Sequence, residues 1–250
     1  VACWGGNLYI VGLNQLTDVA IDRINKPHLP LAAGDFSLNQ GRWIVAIAGI
    51  MGLAVAAAQG AWLLATVATS LAIGTAYSLP PIRLKRSPFL ASLCIFTVRG
   101  VIVNLGLFLH FMGQPLAQPI EIPVTIWALT LFVIVFTFAI AIFKDIPDME
   151  GDRQYNISTF TLRLGSKAVF NLARWVLSIC YLGMAIGGFL FLPMVNLPLL
   201  ITSHLGALGI FWYLSFQVDL ADVGAIARFY QLIWKLFFLE YLIFPLACSL

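Results

Sequence analysis

The chain has 250 residues, of which 61% are hydrophobic and only 10% charged, with a formal net charge of +3 and a mean hydropathy of +0.94. A soluble domain is about half apolar and about a quarter charged, so these values exclude a water-soluble globule and make lipid the expected solvent. The apolar runs are roughly 16 to 25 residues long, enough to cross a hydrocarbon core of roughly 30 Å as helices, whereas barrel strands would be shorter and would alternate in polarity.

In chain order, eight helical spans are predicted, at roughly 1–17, 42–58, 61–79, 89–112, 122–143, 168–192, 197–216 and 227–249. The expected fold is all-α: a polytopic transmembrane helix bundle forming a single integral-membrane domain over residues 1–250. Val1 already lies inside an apolar stretch, so the chain reads as N-terminally truncated. Cys3, Cys94, Cys180 and Cys248 all lie in apolar runs without a CxxC, and read as small apolar residues rather than a disulfide or metal framework.

The basic residues sort by loop. Arg23, Lys26 and Arg42 follow or border the first loop, Arg83, Lys85 and Arg86 the third, Lys144, Arg153, Arg163 and Lys167 the fifth, and Arg228 the seventh. The alternate loops carry no Lys or Arg, which puts the charged loops on the cytoplasmic side, or the stromal side of a plastid membrane.

The first charged loop holds "NQLTDVAID" from Asn14. Asn14, Asp18 and Asp22 are spaced by four, and a helix continuing through them would keep all three on one face, each offset by about 40°. The fifth holds "KDIPDMEGDR" from Lys144, with six charged residues in ten, among them Asp145, Asp148 and Asp152. Asp148 follows Asp18, and Asp152 follows Asp22, by the same 130 residues, and each pair is followed by an arginine. The chain therefore reads as two pseudo-repeated halves that bring two acidic segments to one membrane face.

Carboxylates gathered in this way repel unless a cation joins them. Mg²⁺ takes one or two carboxylates plus substrate phosphates and keeps several waters. Two acidic arms would thus suit a diphosphate held through Mg²⁺, with Arg23, Lys26, Arg83, Lys85, Lys144 and Arg153 on the same face to neutralise the remaining phosphate charge. The plain alternative is a pair of solvated loops that only fix topology.

Other polar residues are ambiguous. Arg99 lies mid-span and reads either as a cavity-facing functional residue or as half of a structural pair, with Glu240 a candidate partner. Lys235 and Glu240 are five apart, about 140° of helix rotation, and do not suit each other. His204 reads as a satisfied core histidine. Tyr77, before Pro80-Pro81, suits either a phosphate or acceptor hydrogen bond or an interfacial aromatic belt.

"NQLTDVAID" and "DIPDMEGD" resemble the paired aspartate motifs of the UbiA superfamily of intramembrane prenyltransferases, and "YSLPPIRLKRSP" from Tyr77 is similar to that family's third-loop segment. The likeness covers essentially the whole chain and is closest to the homogentisate prenyltransferases. It implies nine helices, eight of them visible here, in a cyanobacterial or plastid membrane. It implies Mg²⁺ and diphosphate binding by Asn14, Asp18, Asp22, Asp148 and Asp152, with Asp145 joining them and Arg83 and Lys85 contacting diphosphate. The implied reaction is transfer of a phytyl group from its diphosphate to the ring of homogentisate, with decarboxylation. Solanesyl or geranylgeranyl transfer is the alternative within the family.

Outside the family, a cation-coupled transporter would place its site near the bilayer midplane, yet no acidic residue precedes Glu240 at that depth. An alcohol phosphatidyltransferase would need a D-G pair that is missing after Asp18. The expected partners are a prenyl diphosphate, an aromatic acceptor and membrane lipid; neither nucleic acid nor a protein partner is predicted.

Overall fold

A computed structural model describes residues 1–113, 121–155, 159–192 and 194–250, with the Glu150 side chain left aside. The described residues are helical and contain no strand. They form two compact units: residues 1–120 with 148–158, and residues 121–147 with 159–250.

The first unit begins with α1 (Ala2–Asn25), 24 residues without a break. The helix continues through the expected loop at Asn14–Asp22 and stops where Lys26 meets Pro27, since the residue before a proline is driven out of the helical region. Among the described residues seven helices are long and apolar enough to span a membrane, and α1 is not among them. The expected first span at 1–17 is instead the leading part of a longer helix, diluted by Asn7, Asn14 and Gln15.

After the short α2 (Pro30–Ala33) comes α3 (Leu38–Gln59), which starts four residues earlier than expected because Ser37 and Gln40 form a reciprocal capping box. The next helix, α4 (Ala61–Ser78), ends before Pro80-Pro81, with Leu79 extended as the residue before a proline. A 3₁₀ turn (Leu84–Arg86) leads to one apolar rod in three pieces: α5 (Pro88–Ile95), a π-helical stretch (Phe96–Ile102) and α6 (Val103–Phe111). Arg99 lies in the π-helical stretch, where Asn104 Nδ2 donates to the carbonyls of Arg99 (3.3 Å) and Gly100 (2.8 Å).

Glycines let α1 approach α3 closely. A Cβ on Gly5 would stand 2.7 Å from Ala48 O and 3.0 Å from Gly52 Cα, and one on Gly52 would stand 3.1 Å from Gly6 N. These neighbours are backbone atoms and cannot swing aside. Between lipid-solvated helices, dispersion across small residues replaces hydrophobic burial as the force of association.

The second unit contains α7 (Val124–Phe143), α9 (Phe160–Leu164), α10 (Ser166–Phe191), α11 (Leu197–Ser215) and α12 (Val223–Ser249). The six-residue α8 (Met149–Gln154) belongs to the first unit. Aromatic rings fill the core of the second unit: Phe132 lies edge-on to Tyr181 at 5.5 Å, and Phe229 meets Phe211 and Phe170, each at 5.4 Å. Such pairs contribute about 0.5–1.5 kcal/mol each beyond their area.

Glu240, 2% exposed, faces His204: His204 Nε2 and Glu240 Oε2 stand 3.2 Å apart, without the alignment of a hydrogen bond. His204 Nδ1 is 2.7 Å from Leu200 O, a pure acceptor, so Nδ1 carries a hydrogen. Nε2 and Oε2 would then meet lone pair to lone pair unless one of them holds a proton. Lys235 is exposed on the other side of α12, as the spacing of five requires.

Two outcomes follow for thermal unfolding in detergent. Gly5→Leu lowers stability by about 1–3 kcal/mol through overpacking against backbone, whereas Gly183→Leu, whose Cβ would meet nothing within 4 Å, has little effect. Glu240→Gln leaves a polar amide beside His204 Nε2 and stays within about 1 kcal/mol of the wild type, while Glu240→Leu strands that nitrogen and costs about 1–3 kcal/mol.

Candidate active site

The last turns of α1 and the segment after α4 form the first half of the site. Asn14, Thr17 and Asp18 share one face of α1. Lys85 Nζ reaches all three, at 3.0 Å to Asn14 Oδ1, 2.8 Å to Thr17 Oγ1 and 2.6 Å to Asp18 Oδ2. An ammonium has three hydrogens, so α1 accepts all of them. Arg83 Nη2 donates to the other oxygen of Asp18 (3.1 Å) and to Thr17 O (3.3 Å). Arg83 has a left-handed backbone, φ 42° and ψ 58°, uncommon outside glycine and typical of residues held by their surroundings for a purpose. Ser78, fully buried at the end of α4, hydrogen-bonds Asn14 Oδ1 at 3.5 Å.

The second half is α8 and the residue before it. Asp148 and Asp152 lie one turn apart, joined by the Asp152 N–H to Asp148 O hydrogen bond of 3.1 Å. Two contacts tie this turn to α1: Lys26 Nζ to Asp148 Oδ2 at 2.5 Å, and the Gly151 N–H to Asn25 Oδ1 at 2.8 Å. Gly151 has to be glycine, since a Cβ there would collide with Asn25 Oδ1. The two acidic segments therefore differ locally: the first continues an unbroken helix, while the second follows a break after Phe143 and starts a short helix of its own.

Asp22, Asp148 and Asp152 are each less than 9% exposed. Burial pushes the Asp22 carboxyl up from 3.8 to about 6; the Lys26 charge works against this, and the like charges of Asp18 and Asp148 add to it. Burial likewise lowers the Lys85 ammonium below its ordinary value, partly offset by its bond to Asp18. Asp22 Oδ2 and Asp148 Oδ1 are buried without a hydrogen-bond partner. Two orphaned carboxylate oxygens, on groups that feel each other's charge, fit a hard divalent cation. Among the described residues, however, no three acidic, His or Cys side chains converge closely enough to enclose a metal ion, so the remaining oxygens of its shell would come from water or phosphate.

The other predicted residues are placed as follows. Arg23 and Arg153 are exposed, and Tyr77 is half-buried in the last turn of α4. Lys144 and Asp145 lie in the second unit, 4.0 Å from each other. Thr17, Asn25, Ser78 and Gly151 were not singled out from sequence. Thr17 alone had a readable signal, three residues from Asn14 on the same helical face.

Residues 1–239 match the UbiA prenyltransferase family. Homogentisate phytyltransferase from Synechocystis sp. is 59% identical over 99% of this chain and 80% of its own length. Homogentisate phytyltransferase 1, chloroplastic, from Arabidopsis thaliana is 39% identical over 96% of this chain, which spans 62% of that protein. Among solved structures, the apo structure of a UbiA homolog from Aeropyrum pernix K1 gives a TM-score of 0.71 at 18% identity, over 98% of this chain and 85% of that one. A UbiA homolog from Archaeoglobus fulgidus bound to GPP and Mg²⁺ gives 0.62 at 17% identity, over 98% and 88%. The solved structures share the fold, the match in sequence runs nearly end to end, and the protein belongs to the UbiA prenyltransferase family.

Proposed function

We propose that this protein transfers a phytyl group from phytyl diphosphate to the aromatic ring of homogentisate, with loss of the acceptor carboxylate as CO₂. The observation that carries the reading is the 59% identity, across 99% of the chain, to a homogentisate phytyltransferase. The paired acidic segments support it, since they offer carboxylates and cations suited to a diphosphate. An Arabidopsis homogentisate solanesyltransferase is 38% identical to the chain, which makes a longer prenyl donor the alternative to test. On this reading the protein works in a cyanobacterial or plastid membrane, with the acidic segments on the cytoplasmic or stromal side, as the loop charges favour.

Asp18, Asp22, Asp148 and Asp152 would hold Mg²⁺, with Asn14 as a further oxygen donor, and the ion would supply positive charge against the developing charge of the diphosphate leaving group. The chain's own cations do the rest. Lys85 and Arg83 fix both oxygens of Asp18 and so orient the first carboxylate arm. Lys26 does the same for one oxygen of Asp148. Their remaining charge, with that of Arg23 and Arg153, favours a polyanionic substrate and lowers the cost of breaking its allylic C–O bond. Apolar helix faces keep water from the allylic cation until the ring attacks it, and Tyr77 would offer a hydrogen bond to phosphate or acceptor.

The test is a membrane assay pairing homogentisate with phytyl, geranylgeranyl and solanesyl diphosphates, with and without Mg²⁺. Turnover is expected with phytyl diphosphate, is abolished by EDTA, and drops by about 10²–10³-fold in Asp18→Asn and Asp148→Asn, as for loss of a group that stabilises transition-state charge. Turnover that survives EDTA would sink the metal reading, and turnover with solanesyl diphosphate alone would sink the donor assignment.

Asp22 gives a pH signature. Its pKa is raised in the folded state, so the native protein binds more protons than the unfolded chain between about 4 and about 6, and the contribution to metal-free stability is lost as pH rises through that window. Divalent binding needs the ionised carboxylate, so Mg²⁺ affinity falls as pH drops below about 6 and levels off above it. Calorimetric titration with Mg²⁺ across pH 5–8 reads the affinity. Asp22→Asn is expected to raise the melting temperature of the metal-free protein at neutral pH while weakening Mg²⁺ binding.

A further inference from the structure

A cationic site stands apart from the acidic segments, on α10 and the end of α11. Lys167, Asn171, Arg174 and Ser178 follow one another by four, three and four residues, so they form a polar stripe along one face of a helix otherwise suited to lipid. Arg174 lies about 12 Å into α10, two turns in. Its guanidinium carbon sits 4.1 Å from the centroid of the Trp212 ring and 4.8 Å from that of Phe216. The Trp212 ring is pinned in place: its Nε1 donates to Ser178 Oγ at 2.8 Å, and Ser178 Oγ donates to Arg174 O at 2.8 Å. The shelf beneath the guanidinium is therefore fixed by hydrogen bonds from the same stripe.

The guanidinium has five N–H donors. One bond is made, from Nη1 to Asn171 Oδ1 at 3.3 Å, while Nε is buried without an acceptor. Among the described residues no carboxylate pairs with it. Asp222, after α11, is taken by Arg228 at 3.3 Å, and the Asp219 carboxylate accepts from the Ala221 N–H at 2.8 Å. The surroundings are exposed and aromatic: Trp175, Tyr213 and Phe216 are each more than 60% exposed, as expected of rings at the level of lipid headgroups. An unpaired planar cation there lacks an anion, and the bilayer supplies one at that depth.

We propose that Arg174, on its Trp212 shelf, binds the anionic headgroup of a membrane phospholipid, with Asn171 orienting the guanidinium fork and Lys167, two turns nearer the helix start, adding charge. The phosphodiester accepts from the Nη donors left over, and the acyl chains lie along the exposed apolar side of α10 and α11. The site is independent of the prenyl-transfer reading, since none of its residues belongs to the acidic segments.

Native mass spectrometry of the delipidated full chain, titrated with phosphatidylglycerol or phosphatidylcholine, tests this. The wild type is expected to hold one phosphatidylglycerol about tenfold more tightly than phosphatidylcholine, as for a charge-assisted hydrogen-bonded contact. Arg174→Gln is expected to remove that preference, weakening phosphatidylglycerol about tenfold more than phosphatidylcholine, whose choline charge already offsets its phosphodiester. Millimolar inorganic phosphate should not compete; full competition would mean a free-phosphate site and overturn the lipid assignment. Equal phosphatidylglycerol affinity in wild type and Arg174→Gln overturns the proposal. Should Arg174→Gln fail to fold, Arg174→Lys keeps the charge without the stacked fork: a partial loss of the preference supports the proposal, and an unchanged preference overturns it.

Discussion

The first unit is organised around one constraint, the gathering of carboxylates that are mostly buried and have little water to separate them. Asp22 shows the strain of it, since burial and the neighbouring charges of Asp18 and Asp148 lift its carboxyl to about 6. The structure answers with cations on both carboxylate arms: Lys85 and Arg83 on Asp18, Lys26 on Asp148. Each depends on backbone placed for another reason. The double proline after α4 ends that helix and lets the chain turn back with Arg83 and Lys85; the glycine-lined contact of α1 with α3 holds the helix that carries Asp18; and Gly151 lets α8 come within hydrogen-bonding distance of Asn25.

The second unit handles a buried acid differently. Glu240 lies among rings of the core and meets an imidazole instead of a lysine. A lysine–carboxylate pair in a medium of low polarity keeps two full charges desolvated, a cost that its attraction offsets only with good geometry. An imidazole, unlike an ammonium, also has a neutral form to offer a buried neighbour. The contrast follows function. Ion pairs that stay partly hydrated at a surface can be exchanged for a substrate's charges, whereas a pair sealed in a core serves only to tie α11 to α12.

The sequence made the helical face of Asn14, Asp18 and Asp22 legible because periodicity of four is a local property, and the turn joining Asp148 to Asp152 was readable for the same reason. The spans were legible because lipid demands long apolar runs. Three features were not. The break between the first span and its loop vanished because polar residues at a helix end do not stop a helix; Pro27 does. The approach of His204 to Glu240 could not be read, since no spacing links the two residues and only the packing of α11 against α12 brings them together. The bond from Asn25 to Gly151 joins residues 126 apart, and no spacing rule links an asparagine to a backbone N–H at that distance.

The lysines also bear on how the site would take its substrate. With every hydrogen of Lys85 on an α1 acceptor and Lys26 on Asp148, the metal-free carboxylates are already neutralised in part. Binding a metal-bound diphosphate would then be an exchange of counter-charges and not an addition to bare anions. Such an exchange limits the net gain in affinity, because each new contact replaces an old one, but it also keeps the arms apart and oriented when no substrate is present. Preorganisation of this kind favours the charge that develops on the leaving group over the ground state, since the cations need not move far to meet it. The burial that lowers the Lys85 ammonium sharpens the same point: an ammonium stripped of water has most to gain from the oxygen that carries the most negative charge.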